Sequence, residues 1–144
     1  MTPDVNVLVA ASRSDHPHHA PARHWLQQAL SAAGKGSVIS LQPMVVASFL
    51  RLITHARIFV NPTPIGEALG FLDALLSAPG VLQPTLGAEW PHFRRLCVEK
   101  SLRANDLPGA WLAAAVLQQS EHLVSFDADF RRLLPASQFT RLAA

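Results

Sequence analysis

Short apolar runs alternate along this chain with longer segments in which apolar residues recur every three or four positions. The short runs, including a weak one near the C-terminus, predict strands at residues 2–4, 37–41, 81–82, 121–126 and 138–140. The longer segments predict helices over residues 5–12, 20–33, 43–55, 65–77, 86–100 and 107–119, with a short one at 130–134. Because strands and helices alternate, we expect parallel strands joined by right-handed crossovers. The pattern therefore predicts an α/β fold, in which helices flank a central parallel sheet of four to five short strands.

The composition is that of one domain spanning residues 1–144. Hydrophobic residues form 49% of the chain, which is enough for one core. No apolar run approaches the ~20 residues of a membrane span, and Asp4 stands where a signal peptide carries positive charge, so we expect a cytoplasmic protein with no membrane segment. The single cysteine, Cys97, fits a reducing compartment and is expected to face the interior, together with Trp90 and Phe93. A net charge of +2 and a pI of about 9.3 permit a polyanionic substrate.

Three aspartates follow the ends of predicted strands. Asp4 comes after the first strand, and Asp127 and Asp129 come after the strand at 121–126, which is where open α/β sheets bind ligands. Two carboxylates a few ångströms apart repel by about 4 kcal/mol at a near-surface dielectric, so a clustered pair indicates a cation. Because only oxygen ligands are involved, the pattern predicts Mg²⁺ or Mn²⁺. Each aspartate is also a natural helix cap, and a capping aspartate at a strand end still faces the crevice.

Other polar residues have both a structural and a functional interpretation. Asp106 precedes a predicted helix that starts with a proline, so it is either a helix cap or a further acid of the site. Arg51 is the best candidate for a phosphate contact, because its helix starts at the carboxyl end of a strand. The histidine-rich segment His16–His19 lacks the cysteines or acids that would complete a zinc site, so we interpret it as a solvated helix start.

Four segments, in this order, resemble motifs of PIN-domain nucleases of the VapC toxin type. They are Asp4–Val9 (DVNVLV), Phe49–Phe59 (FLRLITHARIF), Asn105–Ala114 (NDLPGAWLAA) and Ser125–Phe130 (SFDADF). The likeness covers nearly the whole chain, and the ordered set is more specific than any single motif. It implies a single PIN-like domain over residues 1–144.

The resemblance also implies a Mg²⁺- or Mn²⁺-dependent endoribonuclease that cuts RNA, is neutralised by a VapB-like antitoxin and forms a homodimer. By position, Asp4 matches the first metal-binding aspartate, Asp127 the aspartate after the fourth strand, and Asp129 the acid beside it. We therefore predict that Asp4, Asp127 and Asp129 bind metal, and that Asp4, Asp127 and Asp106 act in catalysis. The residues predicted to bind substrate are Asn6, Arg51 and Ser125.

Two positions depart from the family pattern. Gly109 stands where the family usually has an aspartate, and Ser48 where it often has a glutamate. Gly109 offers no ligand, so either Asp106 supplies the missing charge or the chain binds an antitoxin or RNA without cutting. The reduced acid set favours one metal ion over two. A metal-dependent phosphatase with an aspartate nucleophile is a further alternative. The late position of Asp127 and the lack of a companion lysine after it argue against that alternative.

Overall fold

The strands of this protein are two or three residues long, and most of them are joined by helices of eight to fifteen residues. A computed structural model describes all 144 residues. The strands are β1 (Thr2–Pro3), β2 (Ile39–Ser40), β3 (Val81–Leu82), β4 (Leu123–Ser125) and β5 (Phe139–Arg141). The helices are α1 (Val5–Ser12), α2 (His19–Ala33), α3 (Pro43–Ile53), α4 (Ile65–Ser77), α5 (Trp90–Glu99) and α6 (Asp106–Gln118). Two short 3₁₀ turns, Ala128–Arg132 and Ala136–Gln138, lie between β4 and β5.

All strand pairs are parallel, as the alternation of strands and helices predicts. One sheet has the order β1-β4-β5, with Pro3 opposite Val124, and the other pairs β2 with β3. The backbone N–H of Ser40 donates to the carbonyl of Met1 at 2.9 Å and joins the two sheets edge to edge. The strands therefore run in the spatial order β3-β2-β1-β4-β5. This arrangement confirms the predicted α/β class with a parallel sheet of short strands.

Two nearly all-apolar helices form the centre of the core. Helix α1 buries Val7 to Ala11, and α6 buries Ala110 and Leu112 to Val116. A helix that is apolar on most sides is stable only when other elements surround it. Helix α1 packs against α2, α3 and β4, and α6 packs against α5. Because β1 leads directly into α1, this burial holds the N-terminal end of α1 at the carboxyl end of β1.

Several boundaries differ from the predicted ones for local reasons. Helix α5 begins at Trp90 instead of residue 86, because Gly87 has a φ of 135° that no helix accommodates. The Trp90 side chain, in the first turn of this helix, is 52% exposed, and the expectation that it faces the interior is wrong. Cys97 is only partly buried.

No helix of the structure has the length and apolar character that a membrane crossing requires.

Candidate functional site

Asp4 lies at the junction between β1 and α1, and both elements hold it in place. Its backbone N–H donates to the carbonyl of Val124 at 2.9 Å, which continues the β1–β4 ladder by one residue. Its side chain caps α1, because Oδ1 accepts a hydrogen bond of 2.7 Å from the N–H of Val5. The positive N-terminal end of α1 favours a carboxylate at this position. The Asp4 side chain is nevertheless only 7% exposed.

Ser125 connects Asp4 to the chain that follows β4. Its hydroxyl, fully buried, donates to Oδ2 of Asp4 at 2.7 Å. Oγ of Ser125 also accepts from the N–H of Asp127 at 3.0 Å and from Nδ2 of Asn6 at 3.1 Å. Oδ1 of Asn6 in turn accepts from the N–H of Phe126 at 3.3 Å. The polar atoms of Asn6 and Ser125 are therefore used to hold Asp4 and the turn after β4 together.

The turn after β4 presents two exposed carboxylates. Asp127 precedes the first 3₁₀ turn, and its Oδ1 accepts from the N–H of Asp129 at 2.9 Å. This local bond orients the Asp127 side chain, and the Asp129 side chain beside it is exposed. Sequence spacing alone therefore located both acids at the carboxyl end of β4.

A cleft of about 560 Å³ opens at this edge of the sheet. Asp4 and Asp127 line it together with Ser48 and Gly109, the two positions where the resemblance leads us to expect that an acid is missing. Its other walls are mostly apolar. They come from α3 (Met44 and Val45), α5 (Phe93), α6 (Leu107, Trp111 and Leu112) and the first 3₁₀ turn (Phe130). The cleft therefore combines an acidic floor, formed by Asp4 and Asp127, with an apolar wall formed by these other side chains.

Asp106 faces a smaller pocket beside the cleft. That pocket is lined by Asp106, Asp127, Asp129, Gly109 and Arg132 among others, so Asp127 and Gly109 border both cavities. Oδ2 of Asp106 accepts from the N–H of Arg103 at 3.2 Å, which closes the turn before α6 rather than capping the helix itself. The structure thus places Asp106 near Asp127 and Asp129 but outside the cleft that holds Asp4.

Of the predicted site residues, Asn6, Ser125 and Arg51 line neither cavity. Ser125 is bonded to Asp4 and Asp127, and Asn6 is bonded to Ser125, but Arg51 has no such bond. It is exposed in the last turn of α3, whereas Met44, Val45 and Ser48, from the first half of that helix, line the cleft. In the histidine-rich segment the rings make local contacts. Nδ1 of His16 accepts from the N–H of His18, and the His18 ring stacks on Phe126 with centroids 4.9 Å apart.

Burial raises the pKa of the Asp4 carboxyl, and the negative charge of Asp127 raises it further by a smaller amount. The hydrogen bonds from Ser125 and from the Val5 N–H oppose this rise but do not cancel it. A carboxylate with a raised pKa is destabilised in its charged form by its surroundings. A cation at the cleft would remove that cost, because it would interact with Asp4 and Asp127 at once.

The donor set suits a hard cation bound partly by water. No three histidine, cysteine or acidic side chains of the structure converge as a complete metal cage. Mg²⁺ does not need one, because it usually retains several waters and binds one or two carboxylates plus substrate phosphates. Asp4 and Asp127 are the two carboxylates that share the cleft. They therefore fit Mg²⁺ or Mn²⁺, with Asp129 and Asp106 adding negative charge at the rim.

Sequence reasoning did not identify the apolar wall as part of the site. Phe93 and Trp111 occur in ordinary helical patterns, which predict a core position equally well. The bond that links these helices, from Nε1 of Trp111 to Oε1 of the buried Glu89 at 3.0 Å, joins residues far apart in the chain. Only the folded arrangement shows that they border the acidic residues.

Comparisons with known proteins agree with the fold and with the ordered motifs. The PIN domain family matches residues 1–133. Ribonuclease VapC31 of Mycobacterium tuberculosis is 40% identical over 130 residues, which cover 90% of this chain and 89% of the relative. Ribonuclease VapC25 of the same organism is 39% identical over 132 residues, with the same shares of the two chains.

A solved structure supports the fold independently. The VapBC2 crystal structure from Rickettsia felis, bound to a DNA fragment from its promoter, has a chain that matches 99% of this one with a TM-score of 0.67. That match covers 98% of the other chain at 15% sequence identity, so it bears on the fold alone. Together with the matches in sequence, it confirms the resemblance that the four motifs indicate. This chain belongs to the PIN-domain family and, within it, to the VapC ribonucleases.

Proposed function

We propose that this chain is a Mg²⁺- or Mn²⁺-dependent endoribonuclease toxin that cuts RNA in the cleft bordered by Asp4 and Asp127. The observation that carries the proposal is the buried Asp4 carboxylate, which Ser125 holds beside the turn of Asp127 at the carboxyl edge of the sheet. Relatives about 40% identical over most of the chain bear the name ribonuclease, which supports cutting over binding without cutting.

The acidic residues divide into two groups in this proposal. Asp4 and Asp127 would hold the cation, and Asp129 and Asp106 would strengthen the negative potential beside them. When bound, the ion supplies a nucleophilic water of lowered pKa and stabilises negative charge on the scissile phosphate. Ser125 keeps Asp4 and the Asp127 backbone in one orientation, so that the two carboxylates are preorganised for the ion.

The predicted substrate-binding residues have different proposed roles. Asn6 and Ser125 act by positioning Asp4 and Asp127, because their polar atoms bond to each other and to the surrounding backbone. Arg51 would meet a phosphate of RNA that extends out of the cleft along α3, since it lies beyond the cleft-lining part of that helix. Its exposure leaves the guanidinium free for such a contact.

The proposal also includes the partners of the toxin and its location in the cell. A VapB-like antitoxin would neutralise the enzyme, as the name of the VapBC2 neighbour suggests for that assembly. The activity belongs to the cytoplasm, where a free thiol such as Cys97 stays reduced. A homodimer would cover the apolar outer face of α4, where Ile65, Leu69 and Leu76 are 56%, 44% and 36% exposed.

The first test measures RNA cleavage by the purified chain. With Mg²⁺ or Mn²⁺ we expect single-stranded RNA to be cut, and with EDTA we expect no cutting. Asp4→Asn keeps the size of the side chain and its capping ability but removes the charge, so the loss of rate should exceed the roughly 10- to 100-fold seen for outer-shell changes. Asp73→Asn, an exposed change on α4, is the matched control and should cut like the parent. Equal rates for Asp4→Asn and Asp73→Asn would refute the proposal.

The second test concerns Gly109, which replaces a usual acid of the family. A Cβ at this position would meet only two ring carbons of Phe130, both at 3.7 Å, which is ordinary van der Waals contact. The structure therefore has room for Gly109→Asp, and the new carboxylate would lie at a position that borders both cavities. We expect faster Mg²⁺-dependent cleavage and stronger growth inhibition than with the present chain.

Gly109→Asn is the control for the Gly109→Asp variant, because it adds similar volume without charge. We expect it to cut no faster than the parent. If Gly109→Asp changes nothing while Asp106→Asn abolishes cleavage, then Asp106 supplies the missing charge and the account of Gly109 is wrong.

The third test concerns assembly. If α4 forms the subunit interface, light scattering at micromolar concentration should give the mass of two chains. Leu69→Glu places a charge in the apolar face and should shift the mass toward one chain, because burying an unpaired charge is costly. A parent protein that is monomeric at that concentration contradicts the proposed homodimer.

A further inference from the structure

We propose that Trp90, supported by Phe93 and Trp111, forms a stacking surface for an unpaired base of the RNA substrate. The inference rests on the proposed RNA-cleaving function and names a contact that the acidic residues do not provide. A base stacked there would fix how the strand enters the cleft.

The three rings form one aromatic cluster that leads from solvent to the acidic floor. The ring centroids of Phe93 and Trp111 are 4.4 Å apart, and that of Trp90 lies 5.7 Å from Phe93 and 6.1 Å from Trp111. Phe93 and Trp111 line the cleft that contains Asp4 and Asp127. Trp90 extends the cluster outward and is 52% exposed, although large aromatic side chains are usually more deeply buried.

A buried acid holds the inner ring of this cluster in place. Glu89 is only 2% exposed, and its two carboxylate oxygens accept from Nε1 of Trp111 at 3.0 Å and from the N–H of Gly87 at 2.7 Å. A buried charge that makes such bonds is costly to move, so the Trp111 ring cannot rotate freely. Because Trp111 and Phe93 support Trp90, the exposed ring stands on a rigid base. A preorganised surface loses little conformational entropy when a ligand stacks on it.

The charges around the cluster favour a nucleic acid over an apolar peptide. Arg94 lies four residues after Trp90 in α5, so both side chains occur on the same face of the helix. The structure contains only two ion pairs, one at the N-terminal amine with Glu121 and one between Arg13 and Asp15. The charge of Arg94 is therefore not neutralised by an acid. An aromatic ring beside a free cation is the combination with which proteins bind single strands, the ring stacking on a base and the cation meeting a phosphate.

The experiment measures binding in EDTA, so the result does not depend on whether the chain cuts RNA. One probe is a short single-stranded oligoadenylate, and the other has the same backbone with abasic sites. Trp90→Leu, which keeps apolar bulk without an aromatic face, should weaken binding of the oligoadenylate by about 10-fold. Its affinity for the abasic probe should equal that of the parent. Trp90→Phe should retain most of the affinity for the oligoadenylate but lose the fluorescence quenching that stacking on the indole causes.

Arg94→Gln serves as the contrasting variant. It should weaken both probes equally and reduce the slope of log affinity against log salt by about 0.7, the value for one phosphate contact on a single strand. Circular dichroism of each variant establishes that the fold is kept.

Two outcomes would overturn the proposal. In one, Trp90→Leu binds both probes like the parent or weakens both equally, so no base stacks on this ring. In the other, Trp90→Leu leaves RNA binding intact and weakens only the binding of a VapB-type antitoxin segment, so the surface docks protein. Because binding is measured without cleavage, the result can still be interpreted if the chain fails to cut RNA in the cleavage test.

Discussion

The hydrogen bond from Ser125 to Asp4 is the contact on which the proposed site depends. It exists because β1 and β4 pair in parallel with Pro3 opposite Val124, which brings the next residues of both strands side by side. The same serine oxygen accepts a hydrogen bond from the N–H of Asp127 and thereby fixes the backbone from which the second carboxylate extends. A shift of one residue in the β1–β4 register would turn Ser125 to the other face of the sheet and separate the two acids.

This arrangement places charge where the protein environment disfavours it. Asp4 is almost fully buried, its pKa is raised by that burial, and Asp127 adds repulsion from the same cleft. The N-terminal end of α1 and the bond from Ser125 reduce the cost without removing it. In the proposed function a divalent cation completes the balance. In the same proposal, the exposed cations of α5 and the aromatic cluster of α5 and α6 would attract RNA, which the acidic residues alone would repel.

Much of this follows from local sequence patterns. The alternation of short apolar runs with helical periodicity predicts the parallel α/β fold, and the position of Asp4 and Asp127 after strand-like runs predicts that they meet at one edge. Other features depend on contacts between distant segments. The start of α5 depends on the conformation of Gly87, and helical periodicity predicts an inward Trp90 although that side chain is exposed. The roles of Asn6 and Ser125 as positioning groups, and the Glu89–Trp111 bond, arise only once α1, β4, α5 and α6 pack together.

The most direct test of the central claim compares the free energy of unfolding of the parent and of Asp4→Asn, by urea, at several pH values with and without Mn²⁺. The pKa of Asp4 in the folded state is raised above its ordinary value of 3.8. At pH values between 3.8 and the folded pKa, the folded chain therefore keeps a proton on Asp4 that the unfolded chain has released. The parent should therefore lose stability as the pH rises through that window, and Asp4→Asn should not. Without metal, the variant should be the more stable protein at pH 8, with its advantage lost at acid pH. Mn²⁺ at 100 times Kd should stabilise the parent by about 2.7 kcal/mol and leave the variant nearly unchanged. A difference between the two proteins that is independent of both pH and Mn²⁺ would contradict the account.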